Sequence, residues 1–178
     1  MIKVEIVKCL KDNFSYIVHN NNEALVIDPS ESGPLIKSLE KINLKLKYIL
    51  NTHHHFDHID GNLTLKEKYK CKIIGFIDDK KRIPGIDICL KNEEIFKEGD
   101  FKFKTYHTPG HTSGHICYHF FNDKILFTGD TLFSLSCGRL FEGTYEDMFR
   151  SLSLIKTFDK ETLISVSYTH LTLPTTIA

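Results

Sequence analysis

No apolar stretch in this 178-residue chain approaches the roughly 18–20 residues that a helix needs to cross a bilayer. The N-terminal stretch, MIKVEIVKCLKDNF, lacks the unbroken apolar core of a signal peptide, because Lys3 and Lys8 interrupt it. Neither sign of charge is in excess: Lys and Arg number 23, Asp and Glu 23, and the formal net charge is 0. A general nucleic-acid binder normally shows a basic surplus, so no nucleic-acid partner is expected. Arginine is scarce, only Arg82, Arg139 and Arg150, so specific guanidinium chemistry has few candidates. The five cysteines (Cys9, Cys71, Cys89, Cys117, Cys137) are scattered, odd in number and never in CxxC spacing. That excludes a disulfide framework or a Cys-rich zinc site, and reduced thiols in a cytoplasm are the expectation. No membrane partner, internal repeat or low-complexity tract is expected either. What remains is 41% hydrophobic and 26% charged, enough apolar residues for one core-forming domain and too many for a disordered chain.

Hydrophobic periodicity predicts strands over residues 2–9, 14–19 and 24–28, separated by Asp12-Asn13 and Asn20-Asn21-Asn22 turn chemistry. Residues 32–42 carry apolar side chains at helical spacing, with Ser32 as the expected N-cap. A short strand over 47–51 precedes a helix over 61–69 and a strand over 71–75. Residues 78–99 read as short strands and loops. Strands follow over 101–106, 115–121 and 124–128. A helix is predicted over 144–158, with Thr144 as N-cap and Glu146-Asp147 in the first turn. Strands then helix, twice, predict two β-sheets packed together with helices outside.

Histidine is the unusual residue: ten in all, four of them in residues 52–58, Thr-His-His-His-Phe-Asp-His. In extended backbone His53 and His55 fall on one side and His54 on the other. Asp57 and His58 follow from the turn into a helix. Imidazoles with a carboxylate at this spacing suit a borderline cation such as zinc. Incidental histidines in a polar loop are the alternative, but the cluster stands at the end of a predicted strand. Two further donors, His111 in Thr-Pro-Gly-His and Asp130 in Thr-Gly-Asp-Thr, also occupy turns that follow strands.

These segments resemble the metallo-β-lactamase superfamily and, more narrowly, glyoxalase II, the hydroxyacylglutathione hydrolases. The resemblance runs over residues 2–164 and rests on CLKDNFSYIV, VIDP, THHHFDH, TPGHTSGHICY, FTGDTLF and CGRLFEGT. The HxHxDH pattern marks only the superfamily, whereas DNFSY and CGRLFEGT point to glyoxalase II. The resemblance implies an α/β, four-layer αββα sandwich, incomplete at its C-terminus; a monomer is the separate expectation. It implies two divalent metal ions, zinc first, with iron or manganese as alternatives. His53, His55 and His111 would hold the first, Asp57 and His58 the second, and Asp130 both, with Asp57 and Asp130 as the catalytic carboxylates. Such cations acidify water toward neutral pH, so no serine or cysteine nucleophile is needed. The implied substrate is a glutathione thioester of the S-lactoylglutathione type, hydrolysed to a 2-hydroxy acid and glutathione. Arg139 and Phe141 would meet its glutathione part, Arg139 by a bidentate bond to a carboxylate. Phe141 stands where the family usually has Tyr. Asp28 is a candidate for orienting a ligand, His54 and His115 are expected as hydrogen-bonding residues near the site, and Cys137 as a packing residue.

The family places one more metal-binding His in a GHEY segment that this chain lacks, and the context of His170 does not match it. Residues 165–178, SVSYTHLTLPTTIA, carry no charge, and VSYTHLTLPTT resembles the translation of a sequencing-library adapter. The expectation is therefore a truncated catalytic domain over 1–164 and a non-native tail over 165–178, with impaired hydrolysis. Two alternatives stay open: a glutathione persulfide dioxygenase with a single iron, and an inactive metal-binding fragment.

Overall fold

The computed structural model describes residues 2–168 and divides the chain into two compact units, Met1–Leu90 and Lys91–Ala178. In the first unit a meander of β1 (Lys3–Cys9), β2 (Asn13–His19) and β3 (Glu23–Ile27) is antiparallel throughout. Helix α1 (Ser32–Ile42) then crosses to β4 (Lys45–Leu50), parallel to β3. The short α2 (Phe56–Ile59) and α3 (Asn62–Tyr69) lead to β5 (Lys72–Phe76), and β6 (Ile86–Leu90) completes a six-stranded sheet in the order β1-β2-β3-β4-β5-β6. Leu35 and Leu39 of α1 and Leu65 of α3 are fully buried against Val26, Leu46, Ile49 and Ile73 of the sheet. Both helices therefore cover one face. The C-terminal ends of parallel strands are where open α/β sheets build sites. Here Asp28 follows β3 and residues 51–58 follow β4.

The second unit is a five-stranded sheet, β11-β10-β9-β8-β7. Its strands are β7 (Ile95–Glu98), β8 (Phe101–His107), β9 (Ile116–Phe120), β10 (Ile125–Gly129) and β11 (Leu163–Val166). All neighbours are antiparallel except β10 and β11, which helix α4 (Tyr145–Ile155) links as a parallel pair. Phe103, Tyr118, Phe120 and Phe127 form an aromatic core, with Phe103 edge-on to Tyr118 at 5.4 Å. Ile155 of α4 packs on Cys117 and Leu126. Strand β11 crosses residue 164 without a break; residues 169–178, which include His170 and most of the expected tail, lie outside the described residues. Among the described residues no helix is long and apolar enough to cross a membrane.

The two predicted N-caps fare differently. Thr144 caps α4: its hydroxyl accepts the Asp147 N–H at 3.1 Å while the Asp147 carboxylate accepts the Thr144 N–H at 2.9 Å. Ser32 is instead the first helical residue of α1. Glu31 holds the cap position without a capping bond, and its carboxylate accepts the Leu10 N–H. The Thr144 backbone N–H, then its hydroxyl, then the Arg150 guanidinium hold the Asp147 carboxyl down at about 2. A carboxyl depressed in the folded state stabilises above its unfolded value and loses that contribution as pH falls through the folded one. Thr144→Ala removes the cap hydroxyl that accepts the Asp147 N–H and is expected to cost about 1 kcal/mol. Asp147→Asn should lower the urea midpoint at pH 6, with the gap to the parent closing as pH approaches 2.

Candidate metal centre

In the first unit the loop after β4 is set by side-chain amides. The buried Asn51 donates to the His58 carbonyl at 3.1 Å and exchanges bonds with Asn62 at 3.2 and 2.8 Å. His53 is fully buried, and its Nδ1 lies 3.0 Å from the Thr52 hydroxyl. That hydroxyl gives its proton to Asp28 at 2.6 Å, so toward His53 it can only accept. His58 Nδ1 lies 3.0 Å from the same Asp28 carboxylate. Both imidazoles, when neutral, thus keep their proton at Nδ1 and a lone pair at Nε2. Asp28 also accepts the Thr52 N–H at 2.7 Å. It adopts φ of 48°, a left-handed conformation unusual for a residue other than glycine and disfavoured before Pro29. Asp28 therefore orients two candidate ligands, one directly and one through Thr52.

The lone pairs converge. His53 Nε2 lies 3.1 Å from His55 Nδ1, and a ring nitrogen of His58 is within 4.8 Å of one on His53. His58 Nε2 is 3.7 Å from Asp57 Oδ2, which accepts from the Asn13 amide at 3.1 Å. Two nitrogens bound at about 2.05 Å to one tetrahedral cation stand about 3.3 Å apart, so these separations fit edges of a coordination shell. His54 points away, as alternation predicts, with Nδ1 3.3 Å from the buried Asp79.

The second unit repeats the arrangement. His111, in the β8–β9 loop, has Nδ1 2.6 Å from the Arg139 carbonyl, which only accepts. Its Nε2 lies 3.4 Å from Asp130 Oδ2, again an edge length. Arg139 and Phe141 are exposed; the guanidinium lies 5.3 Å from the Phe141 ring, which meets His111 edge-on at 5.3 Å. The segment that carries them is threaded against the His111 loop. Phe141 N–H donates to the His111 carbonyl at 3.1 Å, and the Glu142 carboxylate accepts from the Ser113 N–H at 2.7 Å and hydroxyl at 2.8 Å. A Cβ on Gly138 would stand 2.2 Å from the Asp130 carbonyl oxygen, so glycine is obligatory there.

Each unit thus carries His and Asp donors, and in His53, His58 and His111 the acceptor at Nδ1 leaves the unprotonated nitrogen at Nε2. The sequence reading missed Asn13, Thr52, Asn51 and Asn62 as supports. Asn13 had a signal within DNFSY and Thr52 within THHHFDH. The reading also placed Cys137 in the packing, whereas its side chain is exposed on the loop before Gly138. Burial pushes the Cys71 thiol up to about 11 and raises Cys9, so neither offers a thiolate near neutral pH.

The family model described as the metallo-β-lactamase superfamily matches residues 11–167. A hydroxyacylglutathione hydrolase of Pelagibacter ubique is 53% identical over 165 residues, 92% of this chain and 69% of that protein. Another, from Methylococcus capsulatus, is 41% identical over 96% of this chain and 67% of that protein. The crystal structure of BLEG-1, a B3 metallo-β-lactamase, superposes with a TM-score of 0.87 at 26% identity, covering 94% of this chain and 92% of that one. The expected α/β fold, with two sheets and flanking helices, is therefore correct.

The role given to Asp28 has a direct test. Asp28→Asn presents an amide N–H where His58 Nδ1 and Thr52 now meet an acceptor, which favours the tautomer protonated at Nε2. Zinc affinity measured by chelator competition is expected to fall roughly 10- to 100-fold.

Proposed function

The chain belongs to the metallo-β-lactamase superfamily and, within it, to the hydroxyacylglutathione hydrolases, and from that premise we propose that it hydrolyses S-2-hydroxyacyl-glutathione thioesters. The reaction adds water across the acyl–sulfur bond and releases a 2-hydroxy acid and the glutathione thiol. One observation carries the reading: in both units a donor histidine turns a lone pair toward a carboxylate or a second imidazole while its other nitrogen is held by a fixed acceptor.

His53, His55, Asp57 and His58 of the first unit and His111 and Asp130 of the second are the residues that would hold divalent cations. Zinc is the favoured ion and iron or manganese the alternatives. When bound, such cations supply an acidified water and polarise the thioester carbonyl. The chain's own residues do the rest. Asp57, oriented by the Asn13 amide at Oδ2, takes the proton released by the attacking water. Asp130 offsets cationic charge beside His111. The exposed Arg139 guanidinium pairs with a glutathione carboxylate, and Phe141 lends it an aromatic face. Phe141 also walls one side of His111. A thiolate is a good leaving group, with the cysteine thiol near about 8.5 as a guide, so no cysteine of the protein is required.

Turnover of S-lactoylglutathione by the 178-residue chain, followed by thiol release, tests the reading. His55→Ala or Asp130→Ala should abolish turnover, and Cys137→Ala should retain most of it. Arg139→Ala should raise KM roughly tenfold with a smaller change in kcat. Oxygen uptake with glutathione persulfide, together with a single bound iron, would instead establish the dioxygenase. Loss of turnover in Cys137→Ala with metal retained would indicate covalent catalysis.

A further inference from the structure

His115 is one of the least exposed polar residues of the protein, and the chemistry above makes no use of it. Its Nε2 accepts the backbone N–H of Asp130 at 3.0 Å. A nitrogen that accepts has no proton, so His115 is the neutral tautomer with its proton at Nδ1. Nδ1 lies 3.0 Å from the Thr108 hydroxyl and 3.0 Å from the Thr131 hydroxyl, and those hydroxyls are 3.1 Å apart. Both threonines are fully buried. Thr108 N–H also donates to the His115 carbonyl at 2.8 Å, closing the base of the loop that carries His111. On its other side the Asp130 carbonyl accepts the Gly138 N–H at 2.9 Å. Both backbone polar groups of Asp130 are therefore gripped, within a tight turn entered through Gly129 at φ of 49°.

We propose that His115 is a positioning residue: its Nε2 fixes the Asp130 peptide, and so aims the Asp130 carboxylate at the cation that His111 helps to hold. The proposal rests on the metal reading of Asp130. Its force lies in the separation of the two ring nitrogens. Nε2 accepts from Asp130, whereas Nδ1 faces the threonine network that anchors the ring. A purely structural histidine would need both equally.

Two substitutions divide those roles. His115→Gln places an acceptor near the position of Nε2 and abandons the threonines. His115→Asn does the reverse. Both should lower the melting midpoint of the metal-free protein to a similar extent. Zinc affinity by chelator competition should fall roughly tenfold or more in His115→Asn, yet stay within about threefold of the parent in His115→Gln, a difference smaller than the loss expected for an outer partner. Equal losses in the two variants, or a greater loss in His115→Gln, would overturn the positioning role. Asp130→Asn serves as the control: unchanged zinc affinity there would overturn the metal reading and the proposal with it. Nitrogen-15 NMR of the parent protein needs no variant to fold. A protonated Nε2 on His115 overturns the proposal, and an unprotonated Nε2 with a proton at Nδ1 supports it.

Discussion

A neutral imidazole carries one proton, and this protein depends on where that proton is kept. In His53, His58 and His111 a partner that can only accept holds it at Nδ1: a hydroxyl already committed elsewhere, a carboxylate and a carbonyl. The lone pair is then fixed at Nε2. An imidazole free to choose its tautomer would spend much of its time with a proton where a cation must bind. The acceptors decide the matter before a metal arrives.

The scaffold makes those acceptors rigid. Asp28 follows β3 and the His53 loop follows β4, and the register between these two parallel strands continues as a bond from Asp28 N–H to the Leu50 carbonyl at 2.9 Å. The left-handed backbone at Asp28 costs about 1–3 kcal/mol. Three donors to its carboxylate, together with the Ser15 hydroxyl bound to its carbonyl at 2.6 Å, offset that cost. A strained residue held this firmly cannot reorient, which is the property required of a ligand's partner.

In the second unit one short segment serves two ends. The Arg139 carbonyl fixes His111 while the Arg139 side chain faces solvent. Gly138 and Gly143 allow the close approach, since a Cβ on Gly143 would stand 2.5 Å from the Gly110 backbone. Steric fit against the His111 loop therefore accounts for both glycines of the CGRLFEGT pattern.

Much of this was legible in the chain of letters. Alternation and helical spacing located most strands and helices to within three residues, and the Thr144 cap could be named because capping is local. Candidate donors stood out for the same reason: His53, His55, Asp57 and His58 are close in sequence, and His111 and Asp130 stand in turns just after strands. Ser32 misled, because Ser and Glu compete for one cap position and a contact with Leu10 settled it. Cys137 misled because exposure is set by the path of a loop and not by the polarity of a residue. The sequence by itself determined which atoms could bind a cation and which strands would carry them. Only the tertiary structure decided which nitrogen of His53, His58 and His111 keeps its proton. Those protons are held by partners such as Asp28, 30 residues from His58, and the Arg139 carbonyl, 28 residues from His111, and no local pattern encodes an acceptor at that range.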